Sequence, residues 1–215
     1  MHAAVRQVVQ AVARGGETLP EESLESILRE HWLPAGFSDP VQAAKYWEMG
    51  RHQLTALRQF LLSNPFDLLA QERTFQFAWG GTKVTGRIDQ INLHGGRTGG
   101  KSVEVVEYKS GRPQTQKDAD SSRQLTLYAK ACREVLGLEP MSLILYNLAT
   151  GDLLRTDRRA EDYRDLEEEL IEASAAILAG KFAPLPGYYC RHCDFRAICP
   201  AKEEARGLDE AGVPK

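Results

Sequence analysis

The chain opens on an amphipathic stretch. Val5, Val8, Val9 and Val12 recur at helical spacing and predict a first helix from Met1 to about Arg14. Gly15 and Gly16 break it. Pro20-Glu21-Glu22 then suits the start of a second helix. "REHWLPAGFSDP" carries two prolines and reads as a loop. From Val41 to about Ser63, the residues Tyr46, Trp47, Leu54, Leu57 and Leu61 predict a long helix that tolerates Gly50 at a modest cost. The period then changes from helical to alternating. "ERTFQFAW", the Gly80-Gly81 turn and "KVTGRIDQINL" predict a β-hairpin from about Glu72 to Leu93. "HGGRTGG" is a second turn, and "KSVEVVEYK" a third strand ending at Lys109. A helix is expected from about Ser121 to Leu136, with Leu125, Ala129, Cys132 and Leu136 on one face. "MSLILYNL" reads as a short buried strand, and Leu153 and Leu154 mark a weaker one after the Thr150-Gly151 turn. A last helix, Asp162 to Ala179, has its acidic residues early, where the macrodipole favours them. The final residues read as frayed. This order predicts an α/β (α+β) fold: a mixed sheet of four or five strands with helices on both faces.

Composition narrows the class. A length of 215 residues suffices for one domain with a substantial core. Hydrophobic residues at 42% and charged residues at 27% exclude global disorder. No apolar run reaches ~18 residues, so a transmembrane helix is excluded, and the first residues lack the pattern of a signal peptide. A formal net charge of -3 excludes a uniformly basic nucleic-acid binder but leaves room for a local basic groove. Cys190, Cys193 and Cys199 are clustered, with Cys132 far upstream. That spacing, without a secretory segment, points to a reducing cytoplasm and to a ligating tail rather than a disulfide framework.

The most informative residues are Asp89, Glu107 and Lys109. Glu107 and Lys109 are two apart on a strand and share a face, and a neighbouring strand can bring Asp89 beside them. Converging carboxylates repel and call for a divalent cation, and their hard oxygens suit Mg²⁺ or Mn²⁺. An adjacent lysine could orient water or steady phosphoryl charge. An acid two residues before a lysine is common on solvated strands. Here Val103, Val105 and Val106 make the strand a buried one that ends on these charges.

The ordered set "GRIDQI", "VEYKSG", "QLTLYAKA" and "CRHCDFRAICP" resembles the PD-(D/E)xK nuclease superfamily. Within it, the set looks like the RecB-type domain fused to the C-terminus of UvrD-like helicases and found in related AddAB-type and Cas4-type exonucleases. The resemblance covers nearly the whole chain and is strongest from about Glu72 to Pro200. It implies a restriction-endonuclease-like core with an N-terminal helical insertion and a cysteine-bearing tail, as a single nuclease domain over 1–215. Residues 1–70 would be mainly helical, 71–182 the sheet and its helices, and 183–215 the tail. It implies that Asp89, Glu107 and the Tyr108 carbonyl hold metal, with Lys109 as the catalytic lysine. Gln124 and Tyr128, one helical turn apart, would support the site or touch DNA. Without the other motifs, that pair would be simple helix packing.

The family also takes a histidine ligand from an N-terminal helix. His2 and His52 both fit locally, and the long helical stretch before the sheet favours His2. A chain that begins so near a catalytic motif is expected to be a domain cut from a helicase–nuclease. The resemblance further implies a [4Fe–4S] cluster in the parent protein, held by the three tail cysteines and a fourth upstream. In this chain the site would be incomplete and the cluster absent, with Cys132 kept in the core. Lys83, Arg87, Arg112, Lys117, Arg123 and Lys130 are candidate phosphate contacts. The implied activity is Mg²⁺- or Mn²⁺-dependent hydrolysis of DNA, as single strands or duplex ends, with a 5′-phosphate product. An exonuclease serving repair or recombination, with a helicase motor in cis and no membrane, is the expected setting. The alternative is a silent nuclease-like domain that binds DNA or holds a helicase together.

Overall fold

The computed structural model describes residues 1–15, 19–37, 39–95 and 100–202. The middle of the second expected turn and residues 203–215, where the sequence predicts fraying, lie outside the described residues. Contacts divide the chain into two compact units, Met1–Glu169 and Leu170–Lys215.

Three helices open the first unit: α1 (His2–Ala13), α2 (Glu21–Glu30) and α3 (Pro40–Ser63). Asp39 caps α3 by accepting a hydrogen bond from Val41 N at 2.9 Å, and Pro40 fills the first position, where no N–H is needed. The apolar stripe of α1, Ala4, Val5, Val8 and Val9, is buried against Leu54 and Leu57 of α3 and Leu28 of α2. Gly50 permits that approach, since a Cβ there would stand 3.2 Å from the Leu28 side chain and from Met1. The same cluster takes in Val106, Tyr108, Ile144 and Tyr146 from the sheet, so these helices cover one sheet face.

The sheet has five strands in the order β1-β2-β3-β4-β5: β1 (Asp67–Trp79), β2 (Thr82–Leu93), β3 (Ser102–Lys109), β4 (Glu139–Asn147) and β5 (Leu153–Thr156). β3 and β4 are parallel, and the other neighbours are antiparallel. β1 starts at Asp67 rather than near Glu72. A register shift between Leu68 and Ala70 inserts an extra residue and spoils the alternation on which the sequence reading depended. β2 pairs with β3 from Leu93↔Val103 only as far as Gln90↔Val106. Beyond that point β2 stays with β1, and β3 runs on beside β4 to Lys109.

The helix expected from Ser121 is divided. Thr115 and Asp118 form a capping box that starts α4 (Gln116–Asp120), and Ser122 restarts the chain as the N-cap of α5 (Arg123–Ala131). A π turn, Cys132–Leu136, follows and closes on Gly137 in the left-handed region. Arg158 ties this junction together. Its Nε donates to Thr126 Oγ1 at 2.7 Å, and its Nη2 donates to the carbonyls of Ala119 (2.9 Å) and Ser122 (3.0 Å). α5 packs its buried Leu125, Tyr128 and Ala129 on the sheet face opposite the first three helices.

The last helix, α6 (Ala160–Leu178), runs into the second unit, which also holds a 3₁₀ turn at Tyr188–His192 and the cysteine segment. Leu185, Tyr189 and Ile198 there are largely exposed, and Cys190, Cys193 and Cys199 are free thiols.

Gly86 of the "GRID" stretch lies opposite Phe75 in the β1–β2 register, and a Cβ at Gly86 would collide with the Phe75 ring. That ring stands edge-on to Tyr128 at 6.0 Å between centroids. Gly86→Ala is expected to lower stability by about 1–3 kcal/mol, as overpacking does. A lower urea midpoint at unchanged slope would register it.

Candidate active site

The site forms where β2 and β3 part. Past Gln90 the ladder between them stops, and Asp89 puts its own carboxylate into the fork, where Oδ2 accepts from Tyr108 N at 3.1 Å. A side chain thus takes over a backbone donor that would otherwise lack a partner. Glu107, almost fully buried, and Lys109 flank Tyr108 on β3 and share the opposite orientation to it. Lys109 Nζ donates to Glu107 Oε1 at 2.9 Å and to Gln124 Oε1 at 2.7 Å. Gln124 Nε2 donates to the Tyr128 hydroxyl at 2.8 Å, and that hydroxyl donates to Glu107 Oε2 at 3.0 Å. The four side chains close a ring of hydrogen bonds that fixes every rotamer in it. The start of α1 brings His2 from the other side of the sheet. Its Nε2 lies 3.0 Å from the Tyr108 carbonyl oxygen and 3.7 Å from Asp89 Oδ2. Ligand atoms of His2, Asp89 and Glu107 all lie within 4.8 Å of one another.

The electrostatics describe a site short of positive charge. Burial, and then the neighbouring Glu107 charge, push the Asp89 carboxyl from its ordinary 3.8 up to about 7, against the pull of Tyr108 N–H and His2. Burial and the Glu107 charge also push the Tyr128 phenol up, which keeps it a donor to Glu107. Two carboxylates that cannot both ionise cheaply, an imidazole nitrogen and a carbonyl oxygen fit a divalent cation of the oxygen-preferring kind. His2 Nε2 would then carry the lone pair, with the ring proton on Nδ1.

Of the two histidines that fit the sequence pattern, His2 reaches the carboxylates. His52 is exposed on α3 and lies outside the ligand group found among the described residues. Cys132 is buried in the π turn, and burial pushes its thiol up to about 12, the condition of a core cysteine rather than a ligand. Three of the candidate phosphate cations have acidic partners, Arg87 meeting Glu72 at 2.7 Å. Arg123 pairs with Glu169, while Lys130 pairs with Glu134 at 2.9 Å and lies over the Trp79 ring. The sequence reading missed Asn147. It is fully buried beside Lys109 on β4. Its Oδ1 accepts from Gln114 N at 2.8 Å and its Nδ2 donates to Gln114 O at 2.9 Å, which fixes the chain leaving the lysine. The only signal was one amide at the end of an apolar run.

The raised Asp89 pKa has a stability consequence. Its folded pKa lies above its unfolded value, so in the absence of cation its charge destabilises the fold progressively from about pH 4 to pH 7 and fully above that. Asp89→Asn, which keeps an acceptor for Tyr108 N, is expected to raise stability in chelator at pH 8 by on the order of 1–2 kcal/mol once solvent screening is allowed for. The gain should vanish near pH 4. Mn²⁺ is expected to raise the Tm of the natural chain and not that of the variant.

Two of the solved structures that resemble the chain show the likeness. One is a candidate exonuclease from Eubacterium rectale, at 11% identity and a TM-score of 0.48, with 97% of this chain and 76% of that one covered. The other is a protein named SSO0001, at 18% identity and a TM-score of 0.41, with 93% and 84% covered. No curated protein matches. The sequence profile of the PD-(D/E)XK nuclease superfamily matches residues 1–200, a span that contains the whole constellation from His2 to Gln124 and Tyr128. The chain therefore belongs to the PD-(D/E)XK nuclease superfamily.

Proposed function

We propose that the chain is a divalent-metal-dependent nuclease that hydrolyses DNA phosphodiesters at the fork between β2 and β3. The observation that carries this is the convergence of His2, Asp89 and Glu107 from three separate elements, with their donor atoms within 4.8 Å and Lys109 pinned beside them. Mg²⁺ or Mn²⁺, held by His2, Asp89, Glu107 and the Tyr108 carbonyl, would supply Lewis-acid polarisation of the phosphate and stabilise the leaving oxygen.

The chain's own residues do the rest. Lys109 is held by Glu107 and Gln124, so its ammonium is aimed without an ordering cost at the moment of reaction. Its side chain is 31% exposed, enough to meet a phosphate oxygen or a water. Gln124 and Tyr128 hold Lys109 and Glu107 at their working spacing. The retained ligand set favours catalysis over a silent DNA-binding domain. The motif resemblance supports exonuclease action beside a helicase motor in cis, in repair or recombination, and a [4Fe–4S] cluster in the parent protein built on Cys190, Cys193 and Cys199.

Cleavage of end-labelled DNA is the test. Activity is expected with Mg²⁺ or Mn²⁺, little with Ca²⁺, whose looser geometry suits in-line displacement poorly, and none in chelator. Lys109→Ala should lower kcat by about 10²-fold or more while leaving Mn²⁺ binding intact. Asp89→Ala should lose both. Cleavage that survives chelator, or an undiminished Lys109→Ala enzyme, would overturn the assignment.

A further inference from the structure

Arg87 lies two residues before Asp89 on β2. Their Cα atoms lie about 7 Å apart along the strand. Across the hairpin, Gln71 pairs with Gln90 and Arg73 with Ile88, which sets Glu72 opposite Asp89. The Glu72 side chain is only 16% exposed, and its Oε2 lies 2.7 Å from Arg87 Nε. Glu72 is also the one non-glycine residue with positive φ among those described, at 50°. A bulky acid is uncommon in that region, which asparagine and glycine fill more easily.

The arginine at the other end of this contact is open. Its side chain is 59% exposed, and among the described residues no partner beyond the Nε contact engages its two Nη groups. An ordinary surface ion pair leaves both partners exposed and contributes little. Here the acid is sunk and conformationally constrained while the base faces outward. The four remaining N–H donors of a guanidinium anchored at Nε lie in one plane, the arrangement that matches two phosphate oxygens. Lys109 is committed to Glu107 and Gln124, Arg123 to Glu169, and Lys130 to Glu134. Arg87 is thus a cation two residues along β2 from Asp89, held at Nε with its outer donors exposed.

We propose that Arg87 grips a backbone phosphate of the bound DNA strand beside the metal site, and that Glu72 is the positioning residue that aims it. The ligand class is the nucleic-acid phosphodiester, and the proposal rests on the nuclease reading of this site. Anchoring Nε removes much of the rotamer freedom a free arginine would lose on binding, so affinity comes from pre-organisation as well as charge.

The test combines three measurements on the folded chain and its variants. These are anisotropy of a labelled single-stranded oligonucleotide in Ca²⁺ between about 50 and 200 mM salt, kcat and KM in Mn²⁺, and Mn²⁺ affinity by electron paramagnetic resonance. Arg87→Ala should weaken DNA binding about 10-fold and lower the salt slope by about one phosphate contact, with the loss falling on KM more than kcat and Mn²⁺ affinity kept. Arg87→Lys should restore the salt slope but not the affinity, because a point charge lacks the fork. Glu72→Asn tolerates the positive φ and should weaken binding in the natural background yet add nothing to Arg87→Ala. Glu72→Gln serves as the second variant, keeping the length and losing the charge. Equal binding and equal salt slope for the natural chain and Arg87→Ala would overturn the proposal while cleavage by the natural chain keeps the nuclease reading. A Glu72 effect that persists undiminished without Arg87 would overturn the positioning role. Arg87-dependent binding by a chain that cleaves with no metal would instead sink the nuclease reading and leave the phosphate grip standing.

Discussion

Two carboxylates forced together in a mostly buried fork are the constraint on which the rest of the site depends. Glu107 is 4% exposed, and its partner Asp89 has lost enough water and gained enough like charge to hold its proton to about neutral pH. A fold driven by stability alone would not keep this pair. It is retained by surrounding groups that prevent either acid from swinging away: Tyr108 N–H on Asp89, and Lys109 with Tyr128 on Glu107. The strain is local and electrostatic, and a bound cation would relieve it.

The architecture follows from holding that fork open. β2 follows β1 into the long hairpin while β3 follows β4, so the ladder between β2 and β3 ends at Gln90 and Val106. Helices on the two sheet faces then deliver different chemistry to one point. α1, fixed by Ala4, Val5, Val8 and Val9, sets His2 against the Tyr108 carbonyl. α5, capped by Ser122 and clamped by Arg158, sets Gln124 and Tyr128 against Lys109 and Glu107. Stability of the two packed faces and geometry of the site are therefore the same property seen from two distances. The close fit of Phe75 over Gly86 shows the coupling, because that ring touches Tyr128.

Much of this was legible in the sequence where one physical rule dominates. The valine alternation of β3 and the apolar spacing of α1 and α3 gave those elements nearly to the residue, since burial on one face leaves little choice of period. Glu107 and Lys109 stood out because charges at the end of a buried strand need a reason, and Asp89 because a neighbouring strand can bring it beside them. The start of β1 was not legible, because an inserted residue near Leu69 breaks the alternation. The division into α4 and α5 was missed because two short caps, Thr115 with Asp118 and then Ser122, outweigh a continuous apolar stripe. The ring closed by Gln124 and Tyr128 came from a motif, but its hydrogen-bond order depends on side-chain geometry. Asn147 and Glu72 were invisible for a related reason. Their roles arise from what lies across the sheet, at Gln114 and Arg87, and one-dimensional spacing does not record it.

The central claim is that this fork is a cation site built from His2, Asp89, Glu107 and the Tyr108 carbonyl. Anomalous diffraction from crystals soaked in Mn²⁺ measures it most directly. The account predicts a strong peak in the fork, within about 2.0–2.6 Å of oxygen or nitrogen from all four residues. A peak held by other residues, or an empty fork in crystals that bind Mn²⁺ elsewhere, would contradict it.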